Sequence, residues 1–523
     1  MNNLLKNLGI VILLVHMSSC GGQRDSSVSG TVNTDSSTRL YQEQHRPQFH
    51  FTPKSHWMND PNGMVYHDGE YHLFYQHYPE GNKWGPMHWG HAVSKNLVHW
   101  EHLPIALYPD SLGYIFSGSA VVDQNNSSGF GSAQDPPLVA IYTYHSAEKE
   151  KAGEPDYQYQ GIAFSIDNGR SWSKYEGNPV LPNQGVRDFR DPKVFWHQRT
   201  SKWIMILAAK DHAELWASPD LKKWSKLSDF GQSYGAHGGV WECPDLFPIK
   251  PEAGGKEKWV MIVSINPGGP NGGSATQYFI GDFDGKTFRP GDAKVNIKWI
   301  DFGPDNYAGI TWSNAPDNRK IFLGWMSNWA YGEKVPTTVW RSAMTLPRDL
   351  SLRQANNGWY VTSSFSPEVN SLIGEPIITD DLEIKDTVAL PVGDLRDVSL
   401  SMVSGTFEAK DFSIVLSNPV GQTLSVGFDE KKNLFYIDRG KSGTNDFSEA
   451  FNSYLTAKRI SDSDQIKVEM VIDVSSIEIL FDDGLTAMTA LYFPNERMNK
   501  ISLHAAETNR ARDVRIMSMK SIW

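Results

Sequence analysis

At 523 residues the chain is longer than one hydrophobic core usually fills, so two folded domains are expected. Its 40% hydrophobic content is that of an ordinary globular protein, and a formal net charge of −11 without a Lys/Arg patch argues against nucleic acid as a partner. Two cysteines, Cys20 and Cys243, supply no disulfide framework.

In chain order, the first element is a targeting segment. Lys6 precedes an apolar run over residues 8–15, and Met17-Ser18-Ser19-Cys20 follows. A positive region, an apolar region and small residues are the parts of a secretory signal. The run is too short to cross a membrane as a helix, which takes about 20 apolar residues. Ending on a cysteine, residues 1–20 resemble a bacterial lipoprotein signal. That resemblance implies a lipid on Cys20 and attachment to a bacterial membrane, on its periplasmic or cell-surface face. A cleaved signal with an incidental cysteine is the alternative. Residues 21–45, rich in Ser, Thr, Asn and Gly up to Arg39, read as a flexible tether.

Beyond the tether, short runs rich in Val, Ile, Tyr, Phe and Trp recur at residues 70–76, 137–144, 202–208, 258–264 and 320–326. They are strand length, and no long stretch has helical period, so the chain reads as all-β. A second pattern, Ser then a polar turn then Trp, occurs at residues 94–100, 165–172 and 218–224, with a looser copy at 282–288. Copies roughly 50 to 70 residues apart, with several strands each, point to the blades of a β-propeller. A large sandwich with similar hairpins is the competing architecture. From about Gly358 the Trp density drops and alternating strands appear at 399–402, 412–416, 433–437, 466–473 and 477–481. Asp482-Asp483-Gly484 is a hairpin-type turn. Residues 46–355 are therefore expected to form the propeller and 356–523 a β-sandwich.

Three acidic motifs stand out in the first domain. In residues 57–63 (WMNDPNG) Asp60 precedes Pro61 and an apolar strand. Asn-Asp-Pro-Asn-Gly could equally be a plain turn. In residues 189–192 (FRDP) Asp191 sits beside Arg190, whose charge should favour the carboxylate and lower its pKa. In residues 241–244 (WECP) Glu242 is flanked by Trp241 and Cys243, an apolar setting that suits a general acid. Each acid is expected at the start of an inner strand, converging near a propeller axis. Glycoside hydrolysis needs such a cluster, one carboxylate to attack or activate water and another to protonate the leaving oxygen. The 18 Trp fit this picture in part, because a Trp face packs on the C–H face of a sugar, although an all-β core accounts for most of them.

These motifs, with Phe116-Ser117-Gly118-Ser119, resemble glycoside hydrolase family 32, the invertases, inulinases and levanases. The resemblance runs from about Gln48 to the C-terminus. It implies a five-bladed β-propeller followed by a β-sandwich. It also implies that Asp60 is the nucleophile, Glu242 the general acid/base, and Asp191 the acid that stabilises the transition state by holding sugar hydroxyls. Arg190 would grip the same fructose. Asn59, Gln76, Trp84, Phe116 and Ser117 match the shell around the terminal fructosyl unit, and Trp329 or Trp325, the former favoured, would close the pocket. The implied activity is retaining release of terminal fructose from a β-fructan, levan or inulin, with sucrose as a third substrate. No cofactor or metal is implied, and His56, His88, His91, His99 and His102 form no ligand pair of recognised spacing. A fructosyltransferase using the same site, an inverting arabinan hydrolase and a non-catalytic fructan-binding lipoprotein are the rival readings.

Overall fold

A computed structural model describes residues 40–523 except 133, 292–295, 357, 380 and 393–396. The signal segment, Cys20 and residues 21–39 of the tether lie outside the described residues.

Four strands in sequence order make blade one: β1 (His56–His67), β2 (Glu70–Tyr78), β3 (His88–Ser94) and β4 (Glu101–Leu107). Blade two holds β5 (Tyr114–Val122), β6 (Leu138–His145), β7 (Gln158–Ser165) and the short β8 (Ser173–Lys174). Blade three holds β9 (Phe189–His197), β10 (Lys202–Ala209), β11 (His212–Ser218) and β12 (Ser225–Phe230). In blade four, β13 (Val240–Ile249), β14 (Lys258–Asn266) and β15 (Ala275–Phe283) are followed by β16 (Phe288–Pro290) and β17 (Lys298–Trp299), both against β15. Blade five starts with β18 (Tyr307–Thr311) and β19 (Ile321–Met326). The chain then gives β20 (Trp340–Arg341), which pairs in parallel with β1, and β21 (Ala343–Met344) against β19. Finally β22 (Arg348–Ala355) and β23 (Gly358–Phe365) complete the blade. The last blade thus extends past residue 355, because β23 pairs with β22 along its whole length.

The innermost strands β1, β5, β9, β13 and β18 each touch the next, and β18 returns to β1, so the five sheets close into a ring. The repeated Ser–turn–Trp pattern falls at one topological position, the link between third and fourth strands of blades one to four. Its polar residues cap the turn. Ser94 Oγ accepts from Asn96 N at 3.1 Å, Ser218 Oγ from Asp220 N at 3.1 Å, and Asp284 Oδ1 from Thr287 N at 2.8 Å. Trp172 and Trp224 donate back to the same turns, to Gly169 O and Leu221 O. In blade five the corresponding link runs from Ala355 to Gly358 without this pattern.

The second domain is a sandwich whose two sheets share one strand. Its strands are β24 (Ile373–Thr379), β25 (Leu382–Ala389), β26 (Ser401–Glu408), β27 (Phe412–Ser417), β28 (Thr423–Asp429), β29 (Leu434–Lys441), β30 (Tyr454–Lys458), β31 (Gln465–Asp473), β32 (Ser476–Phe481), β33 (Thr486–Leu491) and β34 (Lys500–Met519). The order is β30-β29-β28-β27-β34-β26-β31-β32-β33. Folding the ends over brings Phe435 of β29 onto Phe481 of β32, rings stacked with centroids 4.0 Å apart. Alternate residues of most of these strands fill the core between them, as a two-layer β structure requires.

Where the domains meet, charge is buried. Arg348 of β22 is fully enclosed and donates to Asp301 Oδ2 at 2.8 Å and to Glu478 Oε2 at 3.1 Å through Nε. His50 bridges Asp473 at 2.7 Å and Glu478 at 2.9 Å. Burial works against its charge, but the two carboxylates win and hold its pKa up at about 9.

Candidate active site

The three acids do not start their strands; they lie inside them, beside bulges. The β1–β2 register shifts between Met58 and Pro61, and the β13–β14 register between Glu242 and Asp245. Opposite Ile206 and Ala208 of β10, the β9 register shifts across Asp191 and Pro192. The other two inner strands do the same, β5 between Ile115 and Gly118 and β18 between Tyr307 and Ile310. Pro61, Pro192 and Pro244 have no N–H to give a ladder, so the strand yields there. Asp191, Cys243 and Ala308 take left-handed conformations with φ of 64°, 44° and 53°. A bulge bends the strand and re-aims a side chain. Repeated around the ring, it turns one residue of each inner strand toward the axis. Gly118 belongs to the same device: a Cβ there would lie 2.1 Å from the carbonyl oxygen of Ile141.

The acids meet through shared donors. Asp60 accepts from Asn59 Nδ2 at 2.9 Å on one oxygen and from Ser117 Oγ at 2.8 Å on the other. Asn59 is itself fixed, because Trp57 Nε1 donates to its Oδ1 at 2.7 Å. Asp191 accepts the Cys243 backbone N–H at 3.0 Å, and the Cys243 thiol lies 3.5 Å from Asp60 Oδ2 and 3.7 Å from Asp191 Oδ2. Glu242 Oε1 accepts from Arg190 Nη2 at 2.9 Å, and Oε2 accepts from the Tyr307 hydroxyl. Arg190 also holds Asp188 at 2.7 Å.

The three acids line one cavity of about 360 Å³. Asp60, Asp191 and Glu242 are joined there by Asn59, Gln76, Trp84, Phe116, Ser117, Arg190 and Trp329. Trp325, the less favoured of the two expected tryptophans, does not reach it. It is fully buried on β19, behind Trp329 and Trp57, with ring centroids 5.0 and 6.0 Å away. Its neighbour Trp329 stands past the end of β19, in a turn free of the sheet, and faces the cavity.

The pattern Glycosyl hydrolases family 32 N-terminal domain matches residues 50–363, and Glycosyl hydrolases family 32 C terminal matches residues 367–520. The chain belongs to glycoside hydrolase family 32. Among proteins of this family, the levanase of Bacillus subtilis (strain 168) is 44% identical over 92% of this chain and 72% of its own length. The extracellular exo-inulinase inuE of Aspergillus niger (strain ATCC MYA-4892 / CBS 513.88 / FGSC A1513) is 40% identical over 87% of this chain and 90% of its own. The crystal structure of exo-inulinase from Aspergillus awamori superposes with a TM-score of 0.84 at 36% identity, covering 92% of this chain and all of that one.

Electrostatics in this family 32 site depart from the sequence expectation at Asp191. Its pKa is pushed up to about 7. Burial is the main cause; the Arg190 charge acts the other way, and the charges of Glu242 and Asp60 add to the rise. Arg190 does lower it, with Nε 3.9 Å from Asp191 and the rest of the guanidinium on Asp188 and Glu242, but burial outweighs that charge. Asp60 is also raised, by burial and then by Glu242, against the lowering effect of its Asn59 and Ser117 bonds. Sequence reasoning missed Tyr307, whose motif-free surroundings give no hint of it. It also missed His145, Gln158 and Asp188 in the cavity wall. His145 stacks flat on Phe116 with ring centroids 4.2 Å apart, and burial lowers its pKa to about 4, so it presents a neutral ring.

Proposed function

We propose that this enzyme releases terminal fructose from β-fructans with retention of configuration, using Asp60, Glu242 and Asp191. Asp60 attacks C2 of the terminal fructosyl unit while Glu242 gives a proton to the departing oxygen. A covalent fructosyl-enzyme results. Glu242 then takes a proton from water, whose oxygen bonds to C2 as the Asp60 ester breaks, and fructose leaves. Asp191, with Arg190, holds the ring hydroxyls as charge develops. Asn59 and Ser117 keep Asp60 oriented, and Tyr307 orients Glu242.

The observation that carries this reading is the meeting of three carboxylates from three blades in one cavity of about 360 Å³ walled by Trp84, Phe116 and Trp329. That is room for a sugar unit against aromatic faces. The relatives named levanase and exo-inulinase support levan and inulin as the substrate class. Relatives named extracellular support export, and a lipid on Cys20 would then keep this enzyme on the membrane. The test is incubation with levan, inulin and sucrose while free fructose and intermediate oligosaccharides are followed in time. Fructose rising alone is expected. Early oligosaccharides would refute terminal attack, and no fructose from any of the three would refute the activity.

A further inference from the structure

One stretch of the pocket wall, and the strand that carries the Glu242 partner Tyr307, are anchored by the sandwich. Arg439 of β29 is wholly buried. Its Nη1 donates to Asp305 Oδ2 at 3.0 Å and to Leu491 O at 2.8 Å, and its Nε donates to Asn452 O at 2.7 Å. The Phe451 ring centroid lies 3.5 Å from the guanidinium carbon. This cation is therefore held in place by its own domain, and it points into the other.

Its target, Asp305, is a junction. The Tyr331 hydroxyl donates to its Oδ1 at 2.6 Å. Tyr331 closes the turn that begins at Asn328, whose carbonyl accepts the Tyr331 N–H at 3.1 Å and whose side chain donates to Pro304 O at 2.8 Å. That turn carries Trp329, one of the cavity's three aromatic walls. On the other side, Asp305 lies two residues before Tyr307, the phenol bonded to Glu242. One buried carboxylate thus anchors both the wall and the partner of the proposed acid/base. Such a carboxylate needs a partner charge, and removing that charge from a buried pair leaves it uncompensated.

We propose that Arg439 is a positioning residue of the active site, through which the sandwich sets Trp329 against the bound fructose and Tyr307 against Glu242. The proposal rests on the pocket reading given above. It makes the second domain part of the site, beyond bracing the propeller.

Steady-state kinetics of the full chain on sucrose and on a short inulin oligosaccharide test it. Arg439→Met should raise KM and lower kcat by about tenfold each, because it loosens both the Trp329 contact with bound fructose and the Tyr307 bond that orients Glu242 in the transition state, and Arg439→Lys should restore most of both. Should Arg439→Met fail to fold, Tyr331→Phe deletes one hydroxyl only; it should raise KM by about threefold and, by leaving a buried Asp305 oxygen unpaired, lower the melting temperature slightly. Trp329→Ala raises KM alone, and in that background Arg439→Met or Tyr331→Phe should raise it no further, since residues acting through one another are not additive. A folded Arg439→Met or Tyr331→Phe enzyme with wild-type KM and kcat, and only a lower melting temperature, would overturn the proposal. So would KM effects that multiply in the double variant. A Trp329→Ala enzyme with wild-type KM sinks the pocket reading itself, and the proposal with it; the single variants tell the two failures apart.

Discussion

Replacing Asp191 by Asn should stabilise the protein while crippling it, and the gain should depend on pH. In the unfolded chain this carboxyl titrates near 3.8, and in the folded site near 7. Below about pH 4 both states hold the proton and there is no cost. Between the two values the folded state keeps a proton that the unfolded state has lost, so stability falls as pH rises, and above 7 the whole penalty is present. A displacement of this size corresponds to ~4 kcal/mol. Part of it comes from the charges of Glu242 and Asp60, which redistribute when Asp191 is neutralised, so about 2 kcal/mol should survive as measured gain. The amide keeps an acceptor for the Cys243 N–H, so the packing is preserved. Thermal unfolding of both proteins from pH 4 to 8 is the assay. The two curves should coincide near pH 4 and separate by a few degrees at pH 7.5, with the Asp191→Asn variant the more stable, while turnover drops about 10²-fold or more for want of the transition-state contact. A gap that is flat in pH, or a variant that is less stable than wild type at pH 7.5, would refute the electrostatic reasoning.

Three further outcomes are expected. His50 titrates near 6.5 when unfolded and about 9 in the domain interface, so its bridge contributes fully below 6.5 and is lost as pH rises through 9. The wild type should therefore lose ~3 kcal/mol across that window by denaturant titration, and His50→Gln, already weakened, should not. Tyr307→Phe removes a hydrogen bond to Glu242 and should cut kcat on sucrose about tenfold with little change in KM; an unchanged kcat would take Tyr307 out of the mechanism. Cys20→Ser should move the enzyme from the membrane pellet to the soluble fraction on cell fractionation and abolish labelling by a fatty-acid analogue, and an unchanged distribution would remove the anchor.

How much of this is legible in the sequence depends on how far apart the interacting residues are. The propeller is legible because its signals are local: apolar runs of strand length, and a turn whose Ser and Trp bond within a few residues, as at Ser165 and Trp172. The acids are legible because each lies close to its own Pro. That same Pro gives the wrong local picture, since it reads as the boundary of a strand and proves to be the bulge within one, at Pro61, Pro192 and Pro244. What is illegible is whatever the packing of one blade on another brings together. Glu242 and Tyr307 meet between the neighbouring inner strands of blades four and five, and nothing around Tyr307 announces it. Trp325 and Trp329 are both candidates in one dimension, and only the end of β19 separates the residue inside the sheet from the one in the cavity wall. Arg190 stands next to Asp191 in sequence and does lower its pKa, but burial outweighs that charge and reverses the expected direction of the Asp191 shift. The buried ions follow the same rule. His50 with Glu478, and Arg439 with Asp305, are single residues from distant parts of the chain, and each is an ordinary surface charge until the second domain packs on the first. The chemistry of a family 32 site is therefore written in short motifs, while the geometry that makes it work is held by pairs with no motif at all.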